Sequence, residues 1–200
     1  MADYTALYET GNALVELLRE NLTPEPISKK ELIALGSPLQ NENSQLTVYL
    51  FHIEEDVQSG NRGYAPYTRN TQRMSPTALS ASFLITAHSK APALMREADQ
   101  YRMLGAAIQT LKDAPVLPRQ YLSGSLAESG AELRLLLERP NFDQMLKIWN
   151  STSTPYKLSL VVKVTGISID SKRTRTIHRV TDVQIGTAQK ARLPGEEGAE

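Results

Sequence analysis

Residues 156–169 read YKLSLVVKVTGISI. Tyr156, Leu158, Leu160, Val162 and Val164 alternate with Lys157, Ser159, Lys163 and Thr165. A period of two puts the first set on one face of a β-strand and the second on the other. Fully extended, the stretch would reach roughly 45 Å at ~3.3 Å per residue, against a usual strand of about 5–6 residues. It must therefore bend, with Gly166 as the place, or project beyond its domain. A projecting edge offers unpaired backbone groups to a neighbouring chain. The charges at Lys163, Lys172 and Arg173 are the alternative, since charges on an edge block such pairing. Residues 174–186 alternate more weakly. They are read as a return strand across Asp170–Arg173, making a C-terminal hairpin over 156–186.

Upstream, residues 46–55 (LTVYLFHIEE) are β-branched and aromatic. Leu46, Val48 and Leu50 face one way and Tyr49, Phe51 and Ile53 the other, which predicts a central strand covered on both sides. Residues 78–88 (ALSASFLITAH) read as the next strand, and 131–138 as another with Leu133, Leu135 and Leu137 inward. A short strand is expected around Leu32–Leu35. Helical spacing runs over 3–22, with Asp3 as N-cap and Leu7, Gly11, Leu14 and Leu18 as its stripe. It runs again over 92–112, through Leu94, Ala98, Tyr101, Leu104, Ile108 and Leu111. Asn141 and Gln144 have capping-box spacing before a short helix whose apolar face is Phe142, Met145, Leu146 and Trp149. Residues 56–77 and 116–130 read as loops, and the Gly/Glu-rich stretch 187–200 as a flexible tail. The order α, β, β, α, β, α, β, β, with no repeat or linker, predicts one α/β (α+β) domain over 1–186. Its core is a mixed, mainly antiparallel sheet covered by helices.

The chain has 200 residues, 22 Lys+Arg and 22 Asp+Glu. A zero formal charge argues against a dedicated nucleic-acid binder and does little to oppose self-association. With no cysteine, disulfides and thiolate metal sites are excluded. No apolar run approaches the ~20 residues of a membrane span, and residues 1–18 lack a secretory pattern. Synthesis and folding in the cytoplasm are expected.

No phosphate-binding glycine loop, nucleophile elbow or zinc-protease motif occurs. His52, His88 and His178 match no metal spacing. His52 and Glu54 share a strand face as i and i+2, but read better as the solvated end of a strand. Ser123-Gly124-Ser125 has no nearby histidine and reads as a loop. Two groups remain as interface candidates. One is Tyr64, Tyr67, Arg69 and Arg73 (with Arg62) in the 56–77 loop, a Tyr/Arg composition typical of protein contacts. The other is Lys172, Arg173, Arg175 and Arg179 near His178, a basic cluster suited to an acidic partner or to nucleic acid.

Five segments taken in order carry a family resemblance: VYLFHIEED (48–56), LSASFLITAHS (79–89), RMLGAAIQTLKDAPVL (102–117), LRLLLE (133–138) and FDQMLKIWNSTSTPYKLSLVVKV (142–164). Together they resemble the tail-terminator or cap proteins of extracellular phage-tail-like contractile injection systems. Lys112 stands where that family often has His, Lys157 where it often has Arg, and the loop after Asp56 lacks its double proline. The resemblance implies a tail-terminator fold and a structural protein without enzymatic activity or cofactor. It further implies a homohexameric ring that closes the baseplate-distal end of inner tube and sheath. Its partners would be itself and the tube and sheath proteins, with no membrane and no nucleic acid. The resemblance also implies assembly in the bacterial cytoplasm, as a component of a particle that can be released from the cell. An accessory nucleic-acid-binding protein, or an enzyme with a dispersed site, are the other classes. A deep pocket of converging polar groups would mark the enzyme.

Overall fold

A computed structural model describes residues 2–39, 43–56, 63–150 and 155–177. In chain order the elements are α1 (Ala6–Leu22), β1 (Ile33–Leu35), β2 (Leu46–Glu55), β3 (Tyr64–Pro66), β4 (Thr71–Met74) and β5 (Thr77–Ala87). There follow α2 (Ala93–Asp113), α3 (Gly124–Ser129), β6 (Arg134–Glu138), α4 (Phe142–Asn150), β7 (Ser159–Ile169) and β8 (Thr174–Thr176). The main sheet has the order β1-β2-β5-β7-β6, with β1 parallel to β2 and the other pairs antiparallel. This is the mixed, mainly antiparallel sheet that the alternating strands require, within an α/β single domain.

The alternation of β7 places Val162 and Val164 in the core, beside Phe83 and Ile85 of β5. α1 and α2 cover that face. α1 contributes Leu14, Leu18 and Leu22, all fully buried, and Arg19 ties it to β1 through two guanidinium hydrogen bonds to the Ile33 carbonyl, 3.0 and 2.8 Å. The opposite face carries a smaller cluster in which Met145 and Trp149 of α4 pack on Leu84 and Val161. The capping box forms as its spacing predicts. Asn141 N–H donates to Gln144 Oε1 at 3.0 Å, and Gln144 N–H to Asn141 Oδ1 at 2.8 Å.

β7 resolves its excess length by bending and by ending. Ala81 opposes Val164 while Leu79 opposes Ile167, so Thr165 and Gly166 bulge against the single residue Ser80. Gly166 sits at φ +88°, and a Cβ there would meet the Glu132 carbonyl oxygen at 2.4 Å. β7 is not the open edge anticipated from its length, because β5 and β6 flank it. Lys163 is accordingly no edge charge. It pairs across the sheet face with Glu54.

Several expectations are corrected. In β2, Leu50 opposes Phe83 and His52 opposes Ser82, so Phe51 is an extra residue. Ile53 thereby moves to the face of Leu50. The strand is also not covered on both sides: Tyr49, on the face that carries α4, and Ile53, on the face of Leu50, are both exposed. In α2 the buried stripe is Met103, Leu104, Ala107 and Leu111. Leu94 is 99% exposed and Tyr101 56% exposed, since only the C-terminal half of α2 lies over α1, β5 and β6.

The 116–130 stretch holds α3, nucleated from outside itself. Glu9 of α1, only 7% exposed, accepts hydrogen bonds from Ser125 N–H (3.1 Å), Leu126 N–H (2.8 Å) and the Ser125 hydroxyl (3.0 Å). Ser123-Gly124-Ser125 is thus a helix start bound to a carboxylate. Residues 174–176 do not return along β7 as a hairpin. They pair with β4, while residues 178–186, most of the expected return strand, and the 187–200 tail lie outside the described residues.

Candidate functional site

Beyond the ends of β2, β5 and β7, three short strands continue in the same lateral order as β3, β4 and β8. β2 ends at Glu55 and β3 begins at Tyr64, Ser75-Pro76 separate β4 from β5, and Asp170–Arg173 separate β7 from β8. The residues read as an aperiodic loop (64–66 and 71–74) are therefore two strands of a distal arm, and the basic cluster supplies the third. The ladder is closed by Met74 N–H to the Arg173 carbonyl (2.9 Å), Ser75 N–H to the Gly63 carbonyl (2.8 Å) and Ile177 N–H to the Asn70 carbonyl (2.9 Å).

This architecture unites the two candidate groups that lie about a hundred residues apart in sequence. On one face, Tyr64 opposes Met74, and Arg175 opposes Gln72. The Arg175 guanidinium lies over the Tyr64 ring at 4.3 Å and donates from Nε to Gln72 Oε1 at 2.8 Å. Arg173 reaches the Met74 sulfur at 3.9 Å. On the other face, Arg73 lies over the Tyr67 ring at 4.7 Å and pairs with Asp170 at 3.5 Å. Such guanidinium–ring contacts fix the arginines in place; Arg175 stays exposed, while Arg73 is half-buried with its Nε enclosed. Arg69 sits exposed in the turn between β3 and β4. Arg179 and His178 lie outside the described residues.

Sequence reasoning missed four members. Gln72 and Met74 had no visible partner without the register. Asp170 is a buried-side counter-ion at the end of β7, and its N–H donates to the Ala2 carbonyl at 3.0 Å. Tyr4 lies at the opposite end of the chain, with Lys172 6.0 Å from its ring centroid. Beside it the Asp3 carboxyl is held below its ordinary value by the Thr5 hydroxyl and amide, with smaller contributions from Ser125 and Lys172.

Electrostatically the arm stands apart from the rest. Residues 63–74 and 170–177 carry Arg69, Arg73, Lys172, Arg173 and Arg175 against Asp170, five positive charges and one negative, for a net +4 in a chain whose total is zero.

The other candidates are dispersed. His52 Nε2 is 3.8 Å from Glu54 Oε2 on the exposed face of β2. His88 is bonded to the Thr47 hydroxyl at 2.9 Å, and burial pushes its pKa down to about 4, with Lys157 adding to the effect. Among the described residues no group of three or more His, Asp or Glu could hold a metal ion. Two open grooves, of about 480 Å³ beside α4 and about 450 Å³ between α1 and β1, contain no histidine. No helix among the described residues is long and apolar enough to cross a membrane.

The fold has solved counterparts. The sheath/tube terminator of an extracellular contractile injection system, PVC, in its extended state, matches with a TM-score of 0.67 and 19% identity, over 96% of this chain and 66% of that one. The anti-feeding prophage cap, a tube-terminating cap, matches with a TM-score of 0.59 and 20% identity, over 89% of this chain and 60% of that one. The chain thus spans about two thirds or less of the length of these two relatives. No curated protein matches it. The model of the Pvc16 N-terminal domain family matches residues 9–182, and the chain belongs to that family.

Proposed function

We propose that the chain is a structural cap: the terminator that closes the baseplate-distal end of the tube and sheath of a contractile injection system. The observation that carries this reading is the fold shared, over 96% of the chain, with a sheath/tube terminator, taken together with the family match over residues 9–182. On this reading the protein is non-enzymatic and forms a homohexameric ring. It meets tube and sheath proteins, assembles in the bacterial cytoplasm and leaves as part of the particle. Ring closure is cyclic, so one surface of each copy binds a different surface of the next. The layer-facing side of the ring substitutes for another tube or sheath layer, and the far side offers no site for further addition.

The distal arm is the contact element in this scheme, through Tyr64, Tyr67, Arg69, Arg73, Lys172, Arg173 and Arg175, with Arg179 in the same cluster by sequence. Support comes from its position at the end of the sheet and from its charge. The experiment is production of particles without the protein, with negative-stain imaging, alongside mass measurement of the purified chain. Uncapped tubes of irregular length or prematurely contracted sheaths are expected, together with a hexamer mass. Particles of normal length and stability would sink the reading. Deleting residues 171–186 should leave a folded chain, because Asp170 and its bond to Ala2 are kept, and should abolish capping.

A further inference from the structure

We infer that the distal arm recognises a carboxylate-rich protein surface, so that its docking is driven by charge and weakened by salt. The inference rests on the cap reading above and names the chemistry of the surface the arm meets. Three observations carry it. The arm concentrates a net +4 within three short strands of a chain that is otherwise net −4, so the rest of the molecule does not share its sign. Four of its five cations are arginines, whose planar forks pair bidentately with carboxylates. Arg69, Lys172, Arg173 and Arg175 are exposed, and the single carboxylate within the arm, Asp170, pairs with Arg73.

A phosphate backbone would also attract such charge. The arrangement of the rings favours protein. A single-strand binder presents open aromatic faces on which bases stack. Here Tyr64 and Tyr67 each have a guanidinium over the ring, at 4.3 and 4.7 Å. The rings act as supports that aim the arginines, and Arg-with-Tyr is the composition of protein contacts.

The test uses the full chain and particles assembled in cells that lack it. Arg69→Glu with Arg173→Glu is the informative pair, since neither side chain stacks on a tyrosine. Particle binding by this variant should fall by about tenfold or more, with its circular dichroism and melting unchanged. Arg69→Lys with Arg173→Lys should retain most of the binding. Raising NaCl from about 50 to 500 mM should weaken wild-type binding and move the Glu variant little. Poly-glutamate should displace the wild-type protein from particles better than a short DNA duplex of equal charge does. Undiminished binding by the Glu pair, an equal loss in the Lys pair, or better displacement by DNA would each overturn the inference. Failure of the wild-type protein to bind particles at any salt would instead sink the cap reading. Direct binding of labelled poly-glutamate and labelled duplex to the free protein would then decide the arm's preference by itself.

Discussion

Glu9 shows how one side chain can organise distant sequence. A helix of six residues has no stability of its own, and α3 begins with a glycine at φ +56°. Two backbone donors and one hydroxyl of its first turn bind the Glu9 carboxylate. Burial raises the pKa of that carboxyl, but bonds from Thr5, Leu126 and Ser125 outweigh it, and the net shift is downward. Glu9→Ala should cost about 2–3 kcal/mol, the scale of charge-assisted bonds left unmade, measurable by urea unfolding. A carboxyl lowered on folding contributes stability above its unfolded pKa and loses it as pH falls through the folded one. His88 acts in the same direction by another route. It is held neutral in the fold, with its pKa at about 4 against 6.5, so the unfolded chain binds the extra proton between those values. Melting temperature should therefore drop as pH falls from 6.5 to 4, and His88→Gln should flatten that part of the curve. A variant curve parallel to wild type would refute the assignment. Nothing in the string around Glu9 announces its role, because its partners lie 116 and 117 residues away.

At the level of elements, long amphipathic pieces were readable and short ones were not. β2, β5, β6, β7, α1, α4 and the span of α2 follow from periodicity, which needs several residues to declare itself. β3, β4 and β8 have three or four residues each. They are strands because they pair with one another as a small separate sheet, not because of their own propensity. Gly166 is the exception where one residue predicted a bend and the bend is present. Gly166→Ala would combine a left-handed backbone with a Cβ driven into the Glu132 carbonyl, and should cost about 2–4 kcal/mol by thermal unfolding. Trp149 is 1% exposed and anchors α4. Trp149→Ala should cost about 3–5 kcal/mol, with hydrogen-exchange protection lost first in α4 and over Leu84 and Val161. By contrast Leu94→Ser, at a position 99% exposed, should change monomer stability by less than about 0.5 kcal/mol. A large loss there would mean the N-terminal half of α2 is packed after all.

For the whole molecule, the zero net charge of the chain conceals a division into a cationic arm and an anionic body. Removing 171–186 takes away Lys172, Arg173, Arg175 and Arg179 together with Asp182, so the truncated protein should run as more acidic on isoelectric focusing and adhere less to a cation exchanger. An unchanged elution would show that these cations are not presented at the surface. The sequence by itself determined the fold class, the principal strands and helices, and the family resemblance, because each is written in local periodicity and ordered apolar segments. It also marked the Tyr/Arg stretch and the basic cluster, though as two separate candidates. Only the tertiary structure decided that they form one arm, with residues on both of its faces. Strand register and lateral order place residues 64–74 beside 173–176, and register is set by pairing across long chain separations, which no local pattern encodes. The same holds for β7. Its length and its bend at Gly166 were legible in YKLSLVVKVTGISI, but the strands flanking it and the small sheet it leads into came from its neighbours.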